Sequence, residues 1–141
     1  MSYELLCQPK TSAKATFRAD ATSFLTGLDP SLQGPDASAS APDAILEDSF
    51  FSGLVSAQVE VVCQEELLPL RFAVDTQHVR VFIGMGVIGE GAADRVSRAL
   101  GYVFALAKSF DLKIYDPQQK AELHEANQAA TAKHIASYLD K

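Results

Sequence analysis

The sequence predicts an α+β fold: a two-layer sandwich in which an antiparallel sheet carries helices packed on one face, within a single domain over 1–141. Three observations carry that expectation. Three segments between 56 and 83 alternate apolar and polar residues with period two, the pattern of half-buried strands. Their connectors, "EELL" and "DTQH", are too short for the crossovers that parallel neighbours need, so the three form an antiparallel meander. The segment 90–109 then presents a continuous apolar stripe at helical spacing, a face for that sheet to bury.

Taken in order, "YELLCQ" at 3–8 reads as a first strand ended by Pro9. Phe17, Ala21, Phe24, Leu25 and Leu28 fall at helical spacing, which predicts a helix over 13–28 that Asp29-Pro30 terminates. Residues 30–44 are rich in Pro, Ser, Asp, Gly and Ala without periodicity and read as a flexible loop. "ILEDSFFSGL" adds a helical turn.

In "SAQVEVVCQE" (56–65), Ala57, Val59, Val61 and Cys63 share a face. Leu70, Phe72 and Val74 do so in the second strand, and Val79, Val81 and Ile83 in the third. Along the helix read over about 90–109, Ala92, Val96, Leu100, Val103, Ala107 and Phe110 form the stripe, with Asp94 and Arg98 paired on the other side. "LKIYD" (112–116) is a last strand. Asp116 as N-cap and Pro117 in the first turn then open a final helix over 118–139, with Leu123, Ala126, Ala130, Ile135 and Leu139 as its contacts.

The totals bound what such a domain can do. An apolar share of 48% and a charged share of 21% are those of a globular chain of 141 residues. No apolar run is long enough to cross a bilayer and "MSYELLCQPK" has no secretory pattern, so the expectation is a cytoplasmic protein without a membrane partner. Net charge is −6 and the basic residues are scattered, which argues against nucleic acid. Cys7 and Cys63 fall on apolar strand faces and read as buried free thiols, with no metal-site spacing.

The stretch "GMGVIGEG" contains Gly84-x-Gly86-x-x-Gly89 between a strand and a helix, the local setting of a dinucleotide-binding turn. Glycines there permit a tight bend and close approach to a pyrophosphate, which the helix N-terminus then receives. Four features weigh against cofactor binding. Too little chain follows for a second set of βα units, and the feeding strand belongs to an antiparallel meander. Asp116 lies farther than the expected ~20 residues from the motif, while Asp111 precedes the strand. Glu90 sets a carboxylate beside the phosphate position. The glycines serve the turn instead, Gly84 and Gly86 through positive φ, and Gly89 or Gly91 by starting the helix.

No cofactor or metal is expected. His124 and His134 do not share a helix face as two ligands at i, i+4 would, and His78 sits in a hairpin connector. No Ser, Cys or Lys can be paired with a base and an orienting acid, so no catalytic residue is assigned. Glu65, Glu66 and Asp75 read as solvated turn residues rather than a cation site.

"MSYELL" and "ALAKSFDLKIYDPQ" resemble the opening and late portion of a loose set of small bacterial proteins of unknown function, some of them suspected immunity or accessory partners near toxin and secretion loci. The resemblance covers about a fifth of the chain and implies a binding protein without a catalytic set. The expectation is therefore a non-enzymatic module that binds a protein partner or forms a homodimer. The alternative is a small-molecule, nucleotide or phosphate binder that uses the Gly84–Gly91 turn.

Overall fold

The computed structural model describes residues 2–12, 14–34, 59–65, 67–84 and 90–139. It contains strand β1 (Ser2–Pro9), helix α1 (Phe17–Leu28), β2 (Leu32–Gln33), β3 (Val59–Cys63), β4 (Leu70–Val74) and β5 (Val79–Gly84). Helix α2 (Ala92–Phe110), β6 (Leu112–Asp116), β7 (Ala121–Leu123) and helix α3 (Gln128–Leu139) follow. The strands form one sheet in the order β2-β3-β4-β5-β1-β6-β7. Every pairing is antiparallel. This is the α+β sandwich that the alternation predicts.

The meander β3-β4-β5 forms as expected, and β1 inserts on its far side, pairing with β5 and β6. Strand "VRVFI" therefore has an oppositely directed neighbour on each side. A doubly wound nucleotide-binding sheet instead opens its crevice where parallel strands diverge.

One face holds the core. Tyr3, Leu5 and Cys7 of β1 join Val61, Phe72, Val81, Ile83 and Ile114 beneath Leu25 of α1, Val96, Leu100 and Val103 of α2, and Ile135 of α3. The period of two in the strands and of 3.6 in the helices puts these residues on facing surfaces, and burying each large side chain stabilises the fold by about 1.5–3 kcal/mol. Phe110 closes the end of the layer, edge-on to Phe17 and Phe24 at 5.7 Å each. Cys7 and Cys63 are buried free thiols. Strands β5 and β4 separate their strands, about 14 Å at the usual strand spacing and too far for a disulfide.

Four details depart from the sequence reading. Helix α1 begins at Phe17, and its Leu28 is exposed rather than buried. Within the segment read as a loop, Leu32–Gln33 pairs with β3, while 35–44 and the helical turn read in "ILEDSFFSGL" lie outside the described residues. Arg98 turns away from Asp94 to form an ion pair with Glu65.

The largest departure is the final helix, which begins at Gln128 rather than 118. Asp116 does accept the backbone N–H groups of Gln118 and Gln119, at 2.9 and 3.1 Å, as an N-cap would. Lys120, at φ 54°, then turns the chain back as β7, which pairs with β6. An Asx turn and a helix N-cap use the same side-chain bonds, so the local signal does not separate them. The expected contacts Ile135 and Leu139 hold, while Leu123 and Ala126 fall before the helix. Thr131, Ala132, Ile135 and Leu139 are buried, while Ala126 and Ala130 are exposed.

Candidate functional site

The described ends of the glycine-rich turn have structural partners. Gly84 closes β5 and donates its N–H to the Pro69 carbonyl at 2.7 Å. A Cβ at Gly84 would stand 3.2 Å from the Pro69 Cβ, a tight contact that Pro69 would have to yield to by a few tenths of an ångström; its φ is not positive, contrary to the expectation. Gly91 does adopt the left-handed conformation, φ 78°, as the N-cap of α2. Gly86 and Gly89 lie outside the described residues.

The histidines do not assemble. His124 and His134 are exposed, and His78 lies 3.7 Å from Asp75 across its hairpin. Burial opposes ionisation of Asp75, but the Thr76 N–H and hydroxyl and the nearby His78 hold its carboxyl below the ordinary value. Glu65 and Asp75 sit at opposite ends of the β3–β4 hairpin, so they do not converge on a cation, and Glu66 lies outside the described residues. Among the described residues no group of three or more His, Cys, Asp or Glu is placed to hold a metal ion.

Two polar clusters are built into the fold. In the first, Asp29 Oδ2 accepts the Tyr102 hydroxyl at 2.7 Å, and Oδ1 accepts the Ser31 N–H and hydroxyl at 2.8 and 2.7 Å. The Ser31 N–H, then Tyr102, then the Ser31 hydroxyl stabilise the anion and lower its pKa to about 2. Burial and then the Asp29 contact raise that of Tyr102. The cluster ties the end of α1 to α2.

The second cluster centres on Asp116, which is fully buried. Its oxygens accept the Tyr3 hydroxyl at 2.5 Å, both N–H groups of the Asx turn, and the side-chain amides of Gln118 and Gln119 at 2.8 and 2.7 Å. Burial, then the Asp116 contact, push the Tyr3 hydroxyl well above its ordinary pKa. The same Gln118 amide donates to the Glu4 carbonyl at 2.6 Å and accepts the Glu4 N–H at 3.1 Å. Continuing the β1–β6 register places Glu4 opposite Pro117, which has no N–H to offer, and the Gln118 side chain takes its place. "MSYELL" and "YDPQ" thus interlock physically. A carboxylate with five donors and no exposure is a structural pin, unable to reach a substrate.

The other face of the sheet is different in kind. Every described helix packs on the core face, so among the described residues no helix covers the opposite side. Register sets two cross-strand rows across the middle of that side. One runs Gln33, Val62, Arg71, Phe82, Glu4; the next runs Glu60, Ala73, Arg80, Leu6, Tyr115, Glu122. The Arg71 guanidinium lies 4.5 Å over the Phe82 ring and 3.6 Å from Glu60, while Arg80 lies 3.9 Å from Glu4. Val62, Leu6 and Phe82 are half-buried, and Tyr115 is 38% exposed. Aromatic and Arg side chains over a partly apolar floor are the composition enriched in protein interfaces.

Comparison of the chain with family models, curated proteins and solved structures returned no match. Sequence reasoning did not single out this face. Alternation already turned Arg71 and Arg80 away from the core, but the order that sets β1 beside β5, and so Glu4 beside Phe82, is not readable from spacing. A cavity of about 320 Å³ between the end of α2 and the β6–β7 hairpin is lined by Lys10, Lys108, Lys113 and His124 together with Asp111 and Glu122. Its mixed charges select no one class of ligand.

Proposed function

We propose that this chain is a non-enzymatic protein-binding module whose docking surface is the open face of the sheet. The observation that carries the reading is the Arg71–Phe82 stack set among Leu6, Val62 and the exposed Tyr115, on a face that no described helix covers. A sheet normally hides an apolar face, so aromatic and aliphatic groups on its solvent side suit a partner better than water. The resemblance of "MSYELL" and "YDPQ" to small bacterial proteins supports a cytoplasmic immunity-like or accessory role. The buried Asp116 and the half-exposed Asp29, both committed to fixed donors, support binding rather than catalysis.

The test is affinity capture from cells that make the protein, with Tyr115→Glu on the face and Lys133→Glu on the exposed side of α3 as bait variants. Capture lost with Tyr115→Glu and kept with Lys133→Glu is the expected result. A partner held equally by both, or by neither, contradicts the reading.

A further inference from the structure

We infer that the cavity where the start of α1 meets the end of α2 is a binding site for a small aryl carboxylate, an aromatic ring carrying one anionic arm. The site stands apart from the docking role of the sheet face, and neither described end of the Gly84–Gly91 turn lines it. Its volume is about 370 Å³, within the usual range for small-ligand sites, and it is more enclosed than the cavity beside the β6–β7 hairpin.

The apolar wall specifies the ring. Pro9, Phe17 and Phe110 line the cavity, and Phe110, the last residue of α2, is only partly buried against the core. Phe17 and Phe110 stand edge-on at 5.7 Å. An aromatic ligand laid against them buries its own apolar surface and adds an edge-on or offset contact, the arrangements that aromatic pairs prefer. Thr11, Ser12 and Ser109 add exposed hydroxyls, which are donors for a carboxylate.

Charge specifies the arm. The charged side chains that line the cavity are Lys14, Asp20 and Asp111. Asp111 is matched by the Lys10 ammonium at 3.4 Å. Asp20 accepts the Thr16 hydroxyl at 2.7 Å and sits in the first turn of α1, where the helix amides favour an anion. Lys14 forms no ion pair among the described residues. Its ammonium is the charge left for a ligand, and it selects an anion. An amine would face Lys14 and would have to compete for carboxylates that are already served. Because Lys14 is exposed, it orients the ligand more than it tightens it, and the ring supplies most of the affinity. A ligand of about ten non-hydrogen atoms then dissociates at about 0.1–5 mM.

Amide NMR titration of the isotope-labelled full chain at neutral pH tests this with three probes that share one ring: phenylacetate, phenethyl alcohol and phenethylamine, each to about 20 mM. Phenylacetate should shift the amides of Ser12, Lys14, Phe17, Ser109 and Phe110 to saturation. It should also bind about fivefold or more tightly than the other two. Lys14→Glu should weaken it about fivefold or more. Ser109→Trp, whose indole fills the cavity from an exposed position of α2, should abolish the saturable shifts. Thermal melting by circular dichroism checks that each variant folds, and Lys14→Glu, at an exposed position before α1, carries the test if Ser109→Trp does not.

Alcohol or amine bound as tightly as phenylacetate overturns the assigned ligand class. No saturation with any probe, shifts centred elsewhere, or binding indifferent to both substitutions overturns the site itself.

Discussion

Replacing Tyr3 by Phe isolates the bond that joins the first strand to the Asp116 turn. The ring stays buried edge-on to Tyr138 at 5.0 Å, so apolar burial is unchanged and only the hydroxyl is lost. That hydroxyl donates to Asp116 at 2.5 Å and accepts from the Gln119 amide at 3.3 Å. A buried hydrogen bond to a charged acceptor contributes about 1.5–3 kcal/mol net. The same Asp116 oxygen keeps its 2.7 Å bond from Gln119 and is not orphaned, which places the cost near the lower half, about 2 kcal/mol. With a urea slope of about 2 kcal/mol/M for a chain of this size, the unfolding midpoint should fall by roughly 1 M.

Two further readings sharpen the test. In a double-mutant cycle with Asp116→Asn, the two losses should be non-additive by about 1 kcal/mol or more, because each change removes the same contact. The raised pKa of Tyr3 contributes stability that is present below about pH 10, the unfolded value, and is lost as pH rises beyond it. The alkaline decline should therefore be shallower in Tyr3→Phe than in the wild type. A midpoint shift under about 0.25 M, or strict additivity, would refute the reasoning.

Asp29 makes the opposite acid-side prediction: its folded pKa of about 2 lies below the ordinary value near 3.9, so its contribution is present above about pH 4 and lost as pH falls towards 2. Acid unfolding followed by circular dichroism should have a shallower pH dependence in Asp29→Asn. Gln118→Ala should lower stability by about 1–3 kcal/mol in urea titration, since it leaves both backbone groups of Glu4 facing Pro117 without the amide that serves them. Gly91→Ala should cost about 1–2 kcal/mol in the same assay, because φ 78° at the start of α2 is strained for any side chain bearing a Cβ.

The elements with a strong single period were legible. Alternation located β3, β4 and β5, and the apolar stripe located α2 to within two residues at its start. Short connectors fixed the antiparallel sense, which holds on both sides of "VRVFI". What stayed hidden is non-local. β2 is two residues long and gains its pairing only from β3, and β7 exists because Lys120 reverses the chain after a turn that mimics a helix cap. The Gln118 amide completes β1 across 114 positions of sequence, a relation no local pattern encodes. The open face was half legible for the same reason. Alternation turned Arg71, Arg80 and Tyr115 outward, but only the strand order gathers them with Leu6 and Phe82.

Site-specific photo-crosslinking tests the central claim of a docking face most directly, with a benzophenone side chain at position 115 compared with one at position 133 in cells that make the protein. The account predicts a strong covalent adduct from position 115 and little from position 133. Equal adducts from both positions, or none from 115 at concentrations where the face should be occupied, would contradict it.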